Sequence, residues 1–402
     1  MVWNLHGLEV SFPAGAGRRR RPRDAFRQYW VTMTATTVTS HDSQSFTLSR
    51  NREADELVRR VLAELRDEGG RLAGEFGLVA IILGGGYGRG EGGAVVMPGQ
   101  PVSLYNDMDF FAFTRNTSRR QRRRLDERLR TLADGWSRRL GIDIDFAPAR
   151  EVSRLASQPV TLMYQELLRG HCVAYASEPV LAAVPWTAAA ELPMLEGLRL
   201  HMNRGTGLLR ASRMLAANQP LSREERDFVW RNLHKCALGC GDALLIAARK
   251  YEYGLPDRCR LLPAVAADLG DPAAAEELCA CYAAAAAFKK HPSREVVGDA
   301  AALAGRLRPL WRLVLAAGLD WRAPARRGRG LLAQLASREL RGGVWWKNYL
   351  LNLAYGWAKG YGVGCAMPPQ YWLLIRLDGL LACDVAAPRD VDRLLTLWRR
   401  FN

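Results

Sequence analysis

A short, wholly apolar run, Leu78–Leu83 (LVAIIL), breaks off into the glycine-rich segment Gly84–Gly93 (GGGYGRGEGG). Apolar at every position and bounded by turn formers, the run reads as a strand buried on both faces, so the chain must build a covered sheet around it. A second strand is expected over Asp107–Phe113 (DMDFFAF) and a third over Ile142–Phe146 (IDIDF). An amphipathic helix over 50–71, ended by Gly69-Gly70, precedes the first strand. An arginine-rich helix, Ser118–Leu140, separates the second strand from the third. A further helix is expected over Val152–Leu168 and an edge strand over Cys172–Tyr175 (CVAY). Strand and helix alternate down to about residue 178, which predicts an α/β domain.

Beyond Pro185 the pattern changes. Met194–Ala216, Ser222–Tyr251, Ala273–Lys289, Ala300–Ala317, Gly330–Tyr361 and Tyr371–Trp398 carry helix-period apolar stripes or alanine-rich helix formers. Pro193 and Pro272 open two of them, and Pro220, Gly254-Leu-Pro256, Pro292 and Pro324 separate others. The expected fold class is therefore α+β: an α/β domain over 51–180, then an all-helical domain over 186–402. A length of 402 residues suits two domains. Residues 1–50 read as an extension, with the basic run Gly15–Arg23 (GAGRRRRPR) followed by a Ser/Thr-rich stretch, and Met33 is an alternative start.

Lys+Arg 57 against Asp+Glu 41 leaves a net charge of +16, with arginine far outnumbering lysine. Such a surface favours anionic partners, although an Arg- and Ala-rich composition also follows from a GC-rich genome. No uncharged apolar run reaches the ~18 residues of a membrane span, so no membrane partner is expected. The eight cysteines form no C-x-x-C pair, and no histidine pair stands at zinc spacing. With no apolar signal-peptide core at the N-terminus, reduced thiols in a cytoplasmic protein are expected.

The chemistry concentrates behind the first strand. So many glycines let the backbone approach a ligand closely, and successive N–H groups there form a nest for an anion. No Gly-Lys-Ser/Thr closes a Walker loop, and no second-strand acid completes a dinucleotide fingerprint. Asp107 and Asp109 flank Met108, so on a strand both carboxylates leave the same face. Asp143 and Asp145 repeat the device around Ile144. Neighbouring carboxylates repel unless a cation neutralises them or one is protonated, and hard oxygen ligands suit Mg²⁺. If the two strands adjoin, three or four carboxylates converge beside the glycine loop.

Gly85-Gly86-Tyr87-Gly88-Arg89-Gly90-Glu91 followed by Asn106-Asp107-Met108-Asp109-Phe110 resembles the signature of the DNA polymerase beta-like nucleotidyltransferase superfamily. Its wording is similar to that of bacterial members such as the nitrogen-signalling uridylyltransferases. The resemblance covers about residues 55–178 and implies a mixed sheet flanked by helices, with a helical companion domain. It implies that Gly85, Gly86 and Gly88 hold the triphosphate, with Arg89 reaching towards it. It also implies that Asp107 and Asp109 bind two Mg²⁺ ions, with one acid of the third strand completing the set and drawing the proton from the attacking hydroxyl. Asp145 is favoured, since Phe146-Ala147-Pro148 leads towards a helix as in the family, and Asp143 is the alternative. Twenty residues separate Gly86 from Asp107, more than the family's usual spacer. The extra piece, Gly92–Leu104, is expected to form a flap or small hairpin.

In the helical half Lys235 is the candidate for lending charge to the triphosphate, two turns from Asp242 on one helix; a solvated helix-face lysine is the other reading. His171, His201 and His234 read as structural or surface histidines. Trp345-Trp346-Lys347-Asn348-Tyr349 reads either as a base- or sugar-stacking stretch or as core. The expected donor is a nucleoside triphosphate, ATP first. The acceptor is open between a small molecule or protein hydroxyl and, as the alternative, RNA or tRNA in a toxin-like enzyme using the arginine-rich helix and the N-terminal arm. An inactive nucleotide-binding regulator is the third reading.

Overall fold

Asn51 caps the first helix by accepting from the Ala54 N–H, and α1 runs over Arg52–Phe76. In this computed structural model residues 44–401 are described, apart from 218, 297, 323–329, 337–339, 341–344, 356–365 and 384–386. The basic run and Met33 lie outside them, as does nearly all of the expected extension. Helix α1 does not stop at Gly69-Gly70, as the sequence reading expects. Gly69 lies against the Tyr175 ring, where a Cβ would come within 2.5 Å of it, so that glycine serves helix-to-sheet packing. The helix ends instead on Gly77, whose φ of 60° makes the left-handed cap.

Strand β1, Leu78–Leu83, follows at once, then the single helical turn α2, Gly85–Gly88. A two-stranded hairpin, β2 (Ala94–Val95) with β3 (Ser103–Leu104), occupies the extra spacer. Strand β4 is Met108–Thr114. Helix α3, Arg119–Leu140, opens on a capping box between Ser118 and Gln121 and closes on Gly141 at φ 67°. Strand β5 is Ile144–Glu151, two residues later than expected and running through Pro148. Pro148 therefore does not lead straight into a helix. The helix expected over Val152–Leu168 is broken into a 3-10 segment, Val152–Ser157, and α4, Leu162–Arg169. Pro159 lies in the break, where it disfavours helical backbone in the residue before it. Strand β6 is Cys172–Ala176.

The sheet order is β5-β4-β1-β6, with β1 antiparallel to β4 and β6, and β4 parallel to β5 across α3. This sheet is mixed and the chain is α+β. Alternation along the strands loads both faces. Ile81, Leu83, Phe110 and Ala112 pack with Val58, Leu62 and Leu65 of α1 and Leu125, Leu129 and Trp136 of α3. Ala80, Ile82, Phe111 and Phe113 pack with Leu155, Tyr164, Leu167 and Val180.

The chain divides into two units, one ending at Trp186 and including Lys290–Pro292, the other comprising Thr187–Lys289 and Ser293–Asn402. Among the described residues every element of the second unit is helical: α5 (Met194–Ala216), α6 (Arg223–Ala247), α7 (Leu255–Ala266), α8 (Pro272–Lys290), α9 (Ala300–Arg322), α10 (Leu331–Leu335), α11 (Trp345–Ala354), α12 (Pro369–Ala382) and α13 (Pro388–Phe401), with short 3-10 turns between some of them. In its core the His201 ring stacks on Trp311 at 4.5 Å. His201 Nε2 meets the Trp311 carbonyl and Trp311 Nε1 donates to the His201 carbonyl.

The helix expected over 330–361 is two pieces, because α10 closes at Ala336. The one expected over 371–398 is likewise two, since Pro388 starts a new helix. Helix α7 occupies what the sequence reads as a separator: Pro256 sits in its first turn, where its missing N–H costs nothing. Trp345 and Trp346 are exposed, so they are not core. Asn348 and Asn352 are buried instead, donating to the carbonyls of Ala366 and Met367. No helix among the described residues is long and apolar enough to cross a membrane.

Candidate functional site

The topology brings the carboxylates to the glycine turn. Because β1 and β4 are antiparallel, with Leu83 opposite Phe110, the end of β1 meets the start of β4. Because β4 and β5 are parallel, both strands start at that same edge. Asp109 pairs in register with Asp145, so the two side chains leave the same face of the sheet, the face of Phe111 and Phe113. Both are half-buried, at the point where the apolar core gives out.

The Gly84 N–H donates to the Asp109 carbonyl at 2.8 Å. Gly85 has φ 61°, and a Cβ there would run into the Asp109 carboxylate, with its Cγ only 3.1 Å away. Gly85 is thus required twice, by its left-handed backbone and by the carboxylate lying against its Cα. The Gly88 N–H returns to the Gly84 carbonyl and the Glu91 N–H to that of Gly86, closing the turn. Tyr87 is wholly buried, donating to the Gly93 carbonyl at 2.7 Å and accepting from the Tyr105 N–H at 3.1 Å. One aromatic residue therefore anchors both the turn and the β2–β3 hairpin.

Asp107 and Asp143 sit just ahead of their strands, and the Asp143 carbonyl accepts from the Met108 N–H. Asp143 is exposed and Asp107 half-buried. The structure therefore joins Asp109, Asp145 and Gly85 directly, with Asp107 two residues along on β4's lead-in and Asp143 at the rim. Among the described residues no three His, Cys, Asp or Glu side chains are gathered as a ready metal site. In kind the donors fit Mg²⁺: a pair of hard carboxylates in register, with a third two residues away.

Arg89 is held between two carboxylates, Glu166 at 2.9 Å and Glu91 at 3.5 Å, and all three are largely buried. Its stem packs against Gly170. Glu166 had no local signal in the sequence, since it lies 77 residues away on α4. Lys235 belongs to the second unit, half-buried on α6. On that helix Asp242 accepts from the Tyr282 hydroxyl at 2.7 Å and pairs with Arg258 at 3.2 Å. Burial, together with the Asp242 charge, pushes the Tyr282 hydroxyl far up.

Three of the histidines and three of the thiols are held in uncharged form by their surroundings. Burial holds His201 and His234 down at about 4 and lowers His171, so all three are neutral at pH 7. The hydrogen bond to Cys236, with burial, pushes the Cys240 thiol up, and burial pushes Cys172 and Cys281 up to about 12. Thiols so protonated are poor nucleophiles. Every described cysteine is free.

Comparison with family models, with curated proteins and with solved structures finds no match for this chain.

Proposed function

We propose that the chain is a nucleotidyltransferase, moving a nucleoside monophosphate from a nucleoside triphosphate to a hydroxyl acceptor. The observation that carries this reading is the register pair Asp109–Asp145 with Gly85 pressed against the Asp109 carboxylate. Two acids at one sheet edge, beside a turn of close-approach backbone, suit phosphate chemistry. Asp109, Asp145 and Asp107 would hold Mg²⁺. Two such ions, when bound, would neutralise charge on the attacking and leaving oxygens.

The protein's own groups have separable tasks. Backbone N–H groups of Gly85 and Gly86 receive phosphate oxygens, which the missing side chains allow to come close, while the Gly88 N–H stays on the Gly84 carbonyl. A carboxylate oxygen of Asp145 takes the proton from the attacking hydroxyl, with the Asp109 carboxylate beside it. Arg89 meets a phosphate only by exchanging its bonds to Glu166 and Glu91 for the incoming oxygens.

Incubation with each α-labelled nucleoside triphosphate, Mg²⁺ and a cell extract tests the reading. Label is expected in a small-molecule or protein fraction, while label in RNA assigns the alternative acceptor. Asp109→Asn is expected to abolish the label and keep the wild-type melting temperature. Absence of label with all four donors overturns the assignment, and so does wild-type turnover by a folded Asp109→Asn protein.

A further inference from the structure

The second unit carries a half-open surface cavity of about 370 Å³ lined by Arg223, Arg226 and Trp230 of α6 and by Arg294, Glu295 and Val296 of the segment after α8, with Arg223, Arg226 and Glu295 exposed. That volume lies in the range of small-ligand pockets. Arg223, Arg226 and Trp230 recur at helical spacing, so they share one face of the first two turns of α6. Two cations, Arg223 and Arg226, at the amino end of a helix run against its dipole, which favours anions there. Glu224 and Glu225 also stand in that first turn, and the Glu225 side chain is used by the capping box with Ser222. Arg223 pairs with Glu295 at 3.2 Å, and Arg226 donates to the Leu221 carbonyl at 2.6 Å. The lining therefore carries three positive charges and one negative, a surplus of two.

The aromatic wall is braced. Trp230 stacks with His234 at 5.8 Å and 23°, and His234 with Phe288 at 4.1 Å and 17°. Burial keeps the His234 imidazole neutral, so the ladder presents aromatic surface with no charge of its own. A braced indole beside guanidinium groups provides a stacking surface for a planar ring and forked donors for phosphate oxygens.

We propose that this cavity binds a 5′-phosphorylated nucleoside, its phosphate dianion among Arg223, Arg226 and Arg294 and its base against Trp230. The surplus of two positive charges matches the charge of a phosphate monoester near neutral pH. Two sources share this chemistry: a free mononucleotide and the 5′-phosphate end of an RNA. The site lies within the helical unit and does not rest on the nucleotidyl-transfer reading.

Calorimetric titration of the full chain with AMP, without divalent ions, tests the site, with adenosine and inorganic phosphate as partial ligands. AMP is expected to bind at least tenfold more tightly than either. Arg226→Ala and Trp230→Leu are each expected to weaken AMP binding at least tenfold, whereas Trp230→Phe stays within about threefold of the wild type. Asp109→Asn is expected to leave AMP binding unchanged, which separates this cavity from the carboxylate edge. A 5′-phosphorylated RNA trinucleotide that binds where AMP does not identifies the RNA end as the source. The assignment is overturned if neither probe binds. It is equally overturned if AMP binds no better than its parts, or if binding survives Arg226→Ala and Trp230→Leu in proteins of unchanged melting temperature.

Discussion

Replacing Gly85 by alanine tests the candidate edge with a single methyl group. Gly85 stands at φ 61°, a conformation that costs an L-residue about 1–2 kcal/mol. That cost lowers the melting temperature by roughly 2–8 °C in a domain of this size. The methyl also collides with the Asp109 carboxylate, while Asp109 Cγ and Cβ stand at 3.1 and 3.3 Å. The obstacle is the end of a side chain and not backbone, so the carboxylate swings aside and the fold survives. A reacting group displaced by about 1 Å loses on the order of 10²-fold in rate. Converted at 1.36 kcal/mol per decade, that is about 2.7 kcal/mol of lost transition-state stabilisation. The expected outcome for Gly85→Ala is thus a modest thermal shift with a disproportionate fall in label transfer. Thermal scans and initial rates on the same preparation measure both. Wild-type transfer alongside the thermal shift would show that the Asp109 carboxylate takes no part in the chemistry.

Adjacent glycines in α1 should respond to alanine with opposite signs. Gly70→Ala, with nothing within 4 Å, is expected to stabilise by about 0.8–1 kcal/mol, whereas Gly69→Ala meets the Tyr175 ring and destabilises; chemical unfolding midpoints would distinguish them. Glu166→Gln removes one partner of the Arg89 pair and is expected to cost about 3 kcal/mol, since it leaves a largely buried guanidinium under-compensated. A loss below about 1 kcal/mol by urea titration would refute that account. His201, at about 4 in the fold against 6.5 unfolded, contributes stability present above pH 6.5 and lost as pH falls towards 4. The loss is up to roughly 3 kcal/mol, with His234 acting in the same direction. Urea midpoints that stay flat between pH 7 and pH 4.5 would contradict it.

What could be read from the sequence was what local pattern controls. Leu78–Leu83 is apolar at every position, and DMDFFAF alternates carboxylates with core residues before its aromatic run, so β1 and β4 were legible to within a residue. The Ser118 start of α3 was legible for the same reason, whereas the flap or small hairpin in the long spacer was expected only from its excess length over the family the motif resembles. The start of β5 was not. Ile142 and Ile144 look alike in sequence, yet the Ile144 N–H is taken by the Ser137 hydroxyl at the end of α3, and the ladder to β4 proper starts at Ile144. Helix α1 passes through Gly69-Gly70 because a sheet residue more than a hundred positions away requires a bare Cα there.

The same division runs through the candidate site. Parallel pairing of β4 with β5 turns two spacings of one residue into one facing pair, Asp109 with Asp145, and leaves Asp107 and Asp143 on the lead-in segments. Spacing alone treats all four acids as equivalent; the register distinguishes them. Arg89 carries the point further. A motif names the residue type but not the partner, and here the guanidinium is already paired with Glu166 and Glu91. Charge-assisted bonds in a largely buried setting are among the stronger ones a protein makes. An anion that draws on Arg89 must therefore replace two carboxylates at once, which a multiply charged phosphate does and a neutral ligand does not. Selection for charge would then arise at the turn itself, before either carboxylate of the Asp109–Asp145 pair is engaged.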